Sequence, residues 1–371
     1  MSVALIAHYL GPKLGVGQYF DRLLPPLVVE LKNHKIPVKI IASPNSAQNT
    51  PALREMKQVN ILPALDYSPN RRYTWLAMNF AKYCREEEVT LAVWLSNPMV
   101  LPWHPPAIAV IHDVNEWKTK NKYGSSWKTA LRSLIYLDAS LRFAKRVIVV
   151  SQGTERDLLH FRPQERLQLK LRTIPNGTDS QLINLPPIPI ASPTRPFLLS
   201  VGRIDPEAKC LPEAVALVSQ LREISGEEWE IHLVGGTNAS TRQRGEEFLQ
   251  EVEHLPWVHY HGYIDDRALA QWYRQATAVV FLSENEGFGL PIAEAAAFGR
   301  WVITSRNNQT SSEAGGSAII AVDIHDSKSA ATQVLNSLRT EIPNNNNLPK
   351  WDSVAKVYAD EINATLLSSK I

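Results

Sequence analysis

The stretch Phe281-Leu-Ser-Glu-Asn-Glu-Gly-Phe-Gly-Leu-Pro-Ile-Ala-Glu-Ala-Ala-Ala-Phe-Gly299 has the pattern of a strand, a loop and a helix. The run Ala278–Leu282 is short and apolar, which predicts a buried strand. Pro291 suits the first position of a helix, and the alanine-rich run behind it favours a helix that stops at Gly299. The loop between them is where we expect the function of this stretch to lie.

The loop holds two glycines, Gly287 and Gly289, that let backbone N–H groups point at a ligand. The helix behind it favours an anion, because its first N–H groups are unpaired and its dipole is positive there. Glu294 in the first turn is ordinary beside a positive helix end. Glu286 would repel a phosphate unless it faces hydroxyl groups, which carboxylates accept well. The two carboxylates therefore predict a phosphorylated polyol, with a ribose on one side and a sugar on the other.

Glu286 and Glu294, with seven residues between them and Gly-Phe-Gly-Leu-Pro inside, resemble the signature of family-4 glycosyltransferases. These are retaining, nucleotide-sugar-dependent enzymes of the GT-B fold. The resemblance covers nearly the whole chain and is strongest between about residues 197 and 300. It implies an α/β fold with two Rossmann-like domains that face each other across a cleft, and a last helix that crosses back to the first domain.

The resemblance also implies the reaction. We expect transfer of a hexose from a UDP-sugar, with UDP-glucose first on the family's frequency of use, to a glycan or a lipid-linked saccharide in polysaccharide biosynthesis. The chain is similar in this respect to bacterial and cyanobacterial envelope-polysaccharide glycosyltransferases. No residue stands out as a covalent nucleophile, which agrees with the front-face mechanism usually proposed for the family. There, the leaving phosphate helps deprotonate the acceptor.

Composition is that of an ordinary globular protein with 371 residues, enough for two domains with substantial cores. Two distant cysteines, Cys84 and Cys210, have no metal or redox spacing and fit a reducing cytoplasm. The chain starts with a strand-like run rather than a signal peptide, and no apolar stretch reaches membrane-spanning length. We therefore expect a cytoplasmic protein.

Short apolar runs alternate with helical patterns in two series, which predicts parallel sheets covered on both faces. The series are divided by Leu185–Pro196, which has five prolines in twelve residues and the composition of a stiff linker. We expect an acceptor-binding domain over residues 1–190 and a nucleotide-sugar-binding domain over residues 191–350. Residues 351–371 would return to the first domain.

Arg203 follows the predicted strand Phe197–Val201, and Lys209 lies six residues later at a helix start. Two cations at the carboxyl edge of a sheet can neutralise a diphosphate, Arg by bidentate contact and Lys as a point charge. They match the family's diphosphate-binding pair, although Cys210 stands where glycine is usual after the lysine. The resemblance assigns Glu286 to the donor sugar, Glu294 to the ribose, and the backbone of Phe288–Leu290, including Gly289, to the diphosphate.

Four further positions complete the candidate site. Gly15 and Gly17 lie in a glycine-containing loop after the first strand, which is a tight turn or a phosphate contact. His112 follows the run Ile108–Ile111; a lone histidine is more often structural, but the family's histidine at this place positions the donor sugar. Tyr263 matches a segment that borders the nucleobase through its backbone. Asp265-Asp266 lacks an Asp-x-Asp arrangement, so no metal cofactor is expected.

Residues 117–146 hold eight Lys or Arg residues against one acid, Asp138, with aromatic residues interleaved. Such a segment suits peripheral contact with an anionic membrane. A solvated helix face explains the same pattern. Nucleic acid would also attract the charge, but nothing else in the chain has the pattern of a nucleic-acid module.

Two other classes of function compete with transfer. A nicotinamide-dependent oxidoreductase predicts Gly-x-Gly-x-x-Gly after its first strand, and the sequence lacks that motif there. A GT-B protein that binds nucleotide sugars without transferring them would not need the combination of Glu286, Arg203, Lys209 and His112.

Overall fold

A computed structural model describes residues 2–9, 15–57, 59–118, 137–163, 165–189, 193–237, 241–342 and 348–368. The chain divides into two compact units, one of residues 1–177 with 349–371 and one of residues 178–348. The division falls before the boundary at residue 190 that the proline-rich linker indicates.

The first unit is built on a parallel sheet of seven strands in the order β3-β2-β1-β4-β5-β6-β7. β1, β4 and β5 are buried over nearly their whole length because helices cover both faces. The strands are β1 (Ser2–Ala7), β2 (Val38–Ala42), β3 (Val59–Ile61), β4 (Val89–Trp94), β5 (Ala107–Ile111), β6 (Arg146–Val149) and β7 (Leu171–Thr173).

The helices of this unit connect successive parallel strands, as βαβ crossovers do. Residues 137–143 are also helical. The helices bounded within the described residues are α1 (Gly15–Asn33), α2 (Pro44–Asn49), α3 (Pro51–Glu55), α4 (Pro69–Glu86), α5 (Asn115–Lys118), α6 (Gln152–Phe161), α7 (Glu165–Lys170) and the last one, α15 (Trp351–Ser368).

The last helix, α15, packs in the first unit although its sequence follows the second one. Its Tyr358 and Tyr19 of α1 are fully buried, and their hydroxyls are hydrogen-bonded at 2.9 Å. Trp351 packs on Gly177 so closely that a Cβ there would lie 2.5 Å from the indole. The prediction that this helix crosses back to the first domain is confirmed.

The second unit has a parallel sheet of six strands in the order β10-β9-β8-β11-β12-β13, which is the Rossmann strand order. Its strands are β8 (Phe197–Val201), β9 (Glu230–Val234), β10 (Val258–Tyr260), β11 (Ala278–Phe281), β12 (Trp301–Ser305) and β13 (Ile319–Val322). Its helices are α8 (Pro206–Lys209), α9 (Leu211–Ser225), α10 (Arg242–Val252), α11 (Asp266–Gln275), α12 (Leu290–Ala297), α13 (Ser311–Gly315) and α14 (Ser327–Ser337).

The apolar runs predicted as strands at Ile108–Ile111, Phe197–Val201 and Ala278–Leu282 are strands, with ends that move by no more than one residue. β3 and β7 were not predicted from their own sequences. Each has three residues and lies at a sheet edge, where half-exposed positions weaken the apolar pattern. The start of the proline-rich linker is held on the second unit, since Arg274 donates to the carbonyls of Ile183 and Leu185.

Most of the basic segment, residues 119–136, lies outside the described residues. At its ends, Lys118 pairs with Asp157, and Arg146 pairs with Glu361 at 2.6 Å. These two charges are therefore engaged within the first unit. No helix among the described residues is long and apolar enough to cross a bilayer.

Candidate functional site

The candidate site of the second unit lies at the point in its sheet where the strand order reverses, between β8 and β11. β8 and β11 are paired side by side in parallel, so the turn after one and the loop after the other meet at one edge. Open parallel sheets bind ligands at this switch point. Ser283 ties the two segments together, because its hydroxyl donates to the carbonyl of Ala208 at 2.9 Å, and Asn308 donates to the carbonyl of Ser283.

Lys209 and Glu286, 77 residues apart in sequence, form a direct ion pair across this edge. Both side chains are largely shielded from water, with exposures of 20% and 17%, which strengthens the attraction between them. The ammonium group of Lys209 also lies 4.8 Å from the centre of the Phe281 ring, in cation–π contact. The structure therefore brings together Lys209, the residue predicted to bind the diphosphate, and Glu286, the residue predicted to bind the donor sugar.

Arg203 lines the same recess as Lys209, between the ends of β8 and β11. Its guanidinium lies 3.3 Å from Asp205, whose own carboxylate caps α8 by accepting from the N–H of Ala208. The Nε atom of Arg203 is buried and has no hydrogen-bond partner among the described residues. A buried donor without an acceptor is costly in a folded protein, and an anionic ligand would supply the acceptor.

The glycine loop leads directly into α12. Gly289 is the N-cap, with φ 94°, a left-handed value that glycine adopts readily. Leu290 is the first helical residue and Pro291 the second, one position later than predicted. Within the described part of the chain, the N–H groups of Phe288, Gly289 and Leu290 donate no hydrogen bond. These three donors lie at the positive N-terminal end of α12, which is the arrangement expected for a phosphate.

Glu294 lies one helical turn into α12 and is 1% exposed. One of its carboxylate oxygens accepts from the hydroxyl of Tyr273 in α11 at 2.8 Å. Tyr273 was not singled out from the sequence, since its position in α11 gives no sign that it faces α12. The hydrogen bond fixes the orientation of a carboxylate that the resemblance assigns to the ribose.

Cys210 shows why glycine is usual after the lysine. It has φ 50° and ψ 47°, a left-handed conformation that ends α8 and begins α9. A side chain in this conformation costs roughly 1–2 kcal/mol. The thiol is buried and contacts the carbonyl of Glu207 at 3.8 Å. The turn that orients Lys209 therefore forms with cysteine at position 210, at a cost in backbone strain.

We expect Cys210→Gly to be more stable than Cys210→Ala by about 1 kcal/mol, because only glycine relieves the left-handed strain. The matched control is Cys84, the other buried cysteine, which lies in α4. In α4 the alanine variant should be more stable than the glycine variant, because glycine destabilises the interior of a helix. Urea unfolding of the four variants measures both differences. An alanine variant at position 210 as stable as the glycine variant would contradict the prediction.

The loops after β8, β9 and β10 pack at the same edge. The N–H of Gly235 donates to the carbonyl of Gly262 at 2.8 Å, and a Cβ on Gly235 would lie 1.8 Å from the carbonyl oxygen of Gly202. Tyr263, next in this loop, is 77% exposed. Asp265 caps α11 by accepting from the N–H of Ala268 at 2.8 Å. This edge of the sheet therefore offers a ligand backbone groups and the exposed ring of Tyr263.

The remaining predicted residues lie in the first unit. His112 follows β5, contacts Tyr19 edge-on with ring centres 4.6 Å apart, and has Nε2 2.8 Å from the carbonyl oxygen of Leu95. Because a carbonyl only accepts, Nε2 carries the proton and Nδ1 is the acceptor atom. Burial lowers the pKa of His112, so the ring is neutral at pH 7. It can accept a hydroxyl hydrogen bond, which suits positioning.

Gly15 and Gly17 are not in a loop, as the sequence indicated, but in the first turn of α1. Gly15 is exposed and Gly17 is buried, while residues 11–14 lie outside the described residues. His8, at the carboxyl end of β1, is a buried histidine that was not singled out from the sequence. Burial lowers its pKa to about 3, so it too is neutral at pH 7.

Comparison with known proteins agrees with this architecture. A family model described as "Glycosyl transferases group 1" matches residues 195–340, and one described as "Glycosyltransferase Family 4" matches residues 26–182. The two matches together cover most of the chain and meet near the division between its units.

Curated relatives match parts of the chain. It is 34% identical over 152 residues to a D-inositol 3-phosphate glycosyltransferase of Thermomonospora curvata, which is 39% of this chain and 35% of the relative. It is 36% identical over 85 residues to O-antigen chain mannosyltransferase B of Escherichia coli, which is 23% of this chain and 22% of the relative. The chain thus matches well under half the length of either relative.

A solved structure extends the likeness to the whole fold. The Anabaena protein HepE in complex with UDP and glucose superposes with a TM-score of 0.64 at 15% identity, covering 99% of this chain and 100% of that one. Two Rossmann-type sheets, a returning last helix, and family models that match both halves lead to one conclusion. The chain belongs to the family-4 glycosyltransferases of the GT-B fold.

Proposed function

We propose that the protein transfers a hexose from a UDP-sugar, UDP-glucose first, to a glycan or lipid-linked acceptor, with retention of the anomeric configuration. The observation that carries this proposal is the recess at the end of β8. There Arg203 has a buried N–H without an acceptor in the part of the chain that the structure describes, beside Lys209 and the three N–H groups of the Phe288–Leu290 segment. A diphosphate supplies acceptors for all of these donors.

The two neutral polyol groups of the donor, its sugar and its ribose, are assigned to the two carboxylates. Glu286, paired with Lys209, would accept from hydroxyls of the sugar, and Glu294, held by Tyr273, would accept from the ribose. HepE has been solved with UDP and glucose, which supports a uridine nucleotide as the first donor to test. Tyr263 offers an exposed ring at the edge where the base would lie.

The proposed step needs no covalent nucleophile from the protein. The bond between the anomeric carbon and the diphosphate oxygen breaks, and the acceptor oxygen bonds to that carbon from the same face. The acceptor's proton passes to the departing phosphate. Arg203 and Lys209 stabilise the negative charge that develops on the diphosphate. His112 would position the donor sugar through its Nδ1 acceptor.

The proposed acceptor is a glycan or a lipid-linked saccharide. Two relatives are named for different acceptors, D-inositol 3-phosphate in one and an O-antigen chain in the other. Contact of residues 117–146 with an anionic membrane stays a prediction. The ion pairs of Lys118 and Arg146 reduce the charge that the described ends of this segment can offer.

Calorimetric titration with UDP, GDP, ADP and NAD, in the presence of EDTA, tests the proposal. We expect UDP to bind and the other three to bind more weakly, and we expect release of UDP from UDP-glucose when suitable acceptors are supplied. Tight binding of NAD without a diphosphate response would instead support an oxidoreductase. Tight UDP binding without turnover on any acceptor would support a nucleotide-sugar-binding protein.

Lys209→Ala should weaken UDP binding by about 1.5–3 kcal/mol, roughly 10- to 150-fold, since it removes a charge-assisted hydrogen bond. It also leaves Glu286 without its cation beside the incoming diphosphate. Lys328→Ala is the control, because this lysine is exposed on α14. Unchanged UDP affinity in a folded Lys209→Ala protein would remove the residue from the site.

Glu286→Gln should not weaken UDP binding as Lys209→Ala does. Lys209 loses its competing carboxylate, so UDP affinity should hold or rise, while turnover of UDP-glucose should fall about tenfold or more through the lost sugar contact. Parallel calorimetry and UDP-release assays separate the two effects. If UDP binding and turnover fell together, Glu286 would not be a sugar-specific ligand.

A further inference from the structure

Three histidines and a glutamate gather on one face of the second sheet, away from the strand ends that form the candidate site. Glu230 and His232 alternate along β9 and therefore point to the same face. His259 of β10 pairs in register with His232. His261 follows β10 by one residue. The sequence offered no sign of this cluster, because its members come from two strands 27 residues or more apart.

Ligand atoms from Glu230, His232 and His259 lie within 4.8 Å of one another. The Oε2 atom of Glu230 is 3.4 Å from Nε2 of His232 and 3.6 Å from Nε2 of His259. Ligands bound tetrahedrally to Zn²⁺ at its usual bond lengths are separated by about 3.3–3.5 Å. The two separations that involve the carboxylate are thus close to those of a zinc site.

The groups behind these atoms are arranged as the outer partners of a metal site. Arg195 donates to the other oxygen of Glu230, Oε1, at 3.0 Å, which leaves Oε2 facing the histidines. Nδ1 of His232 is hydrogen-bonded to Nε2 of His261 at 2.9 Å, with the ring planes 4° apart. If His232 donates this proton, its Nε2 lone pair faces Glu230 and His259. Such contacts fix the tautomer of ligating histidines.

Protein partners alone satisfy the centre of this cluster poorly. Nε2 of His259 is buried and has no hydrogen-bond partner among the described residues. The contact from His232 to Glu230, at 3.4 Å, is long for a hydrogen bond. Trp272 packs on the rings of His232 and His261, with centres 4.6 Å apart in both cases, which makes the inner side of the cluster apolar. A cation between the three atoms would give each a partner.

We propose that Glu230, His232 and His259 form a binding site for Zn²⁺, with His261 and Arg195 as positioning residues. Two imidazoles and one carboxylate suit a first-row divalent metal, whereas Mg²⁺ and Ca²⁺ prefer oxygen ligands. The side chain of His259 is 37% exposed although its Nε2 atom is buried, so the cluster lies close to the protein surface. The metal ties edge strand β10 to β9.

The test is calorimetric titration of ZnCl₂ into protein stripped with EDTA, dialysed and freed of any histidine tag. We expect one Zn²⁺ per chain, and an intensely coloured Co²⁺ complex typical of tetrahedral coordination. His259→Gln should abolish this binding. His261→Ala should weaken it about 10- to 100-fold through His232. His254→Gln is the matched control, because this exposed histidine follows α10 outside the cluster.

Two further measurements distinguish the proposed Zn²⁺ site from the donor site and from a cluster that has only a structural role. Zn²⁺ should slow amide hydrogen exchange in β10 of the wild type and not of His259→Gln. UDP affinity in EDTA should be equal in the two proteins. Wild-type Zn²⁺ affinity no greater than that of folded His259→Gln, or an equal loss in His254→Gln, would overturn the proposal, as would Co²⁺ bound only in weakly coloured octahedral form.

Discussion

The pairing of β8 with β11 is the constraint on which the candidate site depends. Leu198 and Leu199 of β8 lie in register with Ala278 and Val279 of β11, although about 80 residues separate them in sequence. Parallel pairing sends both chains out of the sheet at the same edge. The turn that carries Lys209 and the loop that carries Glu286 therefore meet, and Ser283 joins them through the carbonyl of Ala208.

The charged side chains at this edge pair with one another within the protein. Lys209 is neutralised by Glu286, and Arg203 lies beside Asp205. A site made of cations alone would attract any anion, whereas under the proposed function this one would exchange a carboxylate for a phosphate and leave the carboxylate to accept hydroxyls. Backbone N–H groups at Phe288–Leu290 add donors that carry no net charge. The arrangement favours a ligand with both a phosphate and hydroxyl groups.

The sheet of the second unit carries two candidate sites at two places. Its strand ends form the candidate nucleotide-sugar site, and one face near its β10 edge carries the histidine cluster. The short edge strand β10 has only three residues, so its attachment to β9 rests on few backbone hydrogen bonds. A metal across His232 and His259 would strengthen that attachment.

The sequence by itself determined the alternation of strands and helices, because buried parallel strands must be short apolar runs. It also predicted Arg203, Lys209, Glu286 and Glu294, since each lies beside a strand end, a glycine loop or a helix start. Gly15 and Gly17 were placed in a loop and lie in α1, because the pattern did not show where that helix begins.

Only the tertiary structure decided which of these residues touch. The Lys209–Glu286 pair, the bond from Tyr273 to Glu294 and the left-handed turn at Cys210 all depend on how strands pair and helices pack. The cluster of Glu230, His232 and His259 depends on the register between β9 and β10. A local pattern reports which face or end a residue occupies, whereas contacts between distant segments are set by the pairing of whole strands.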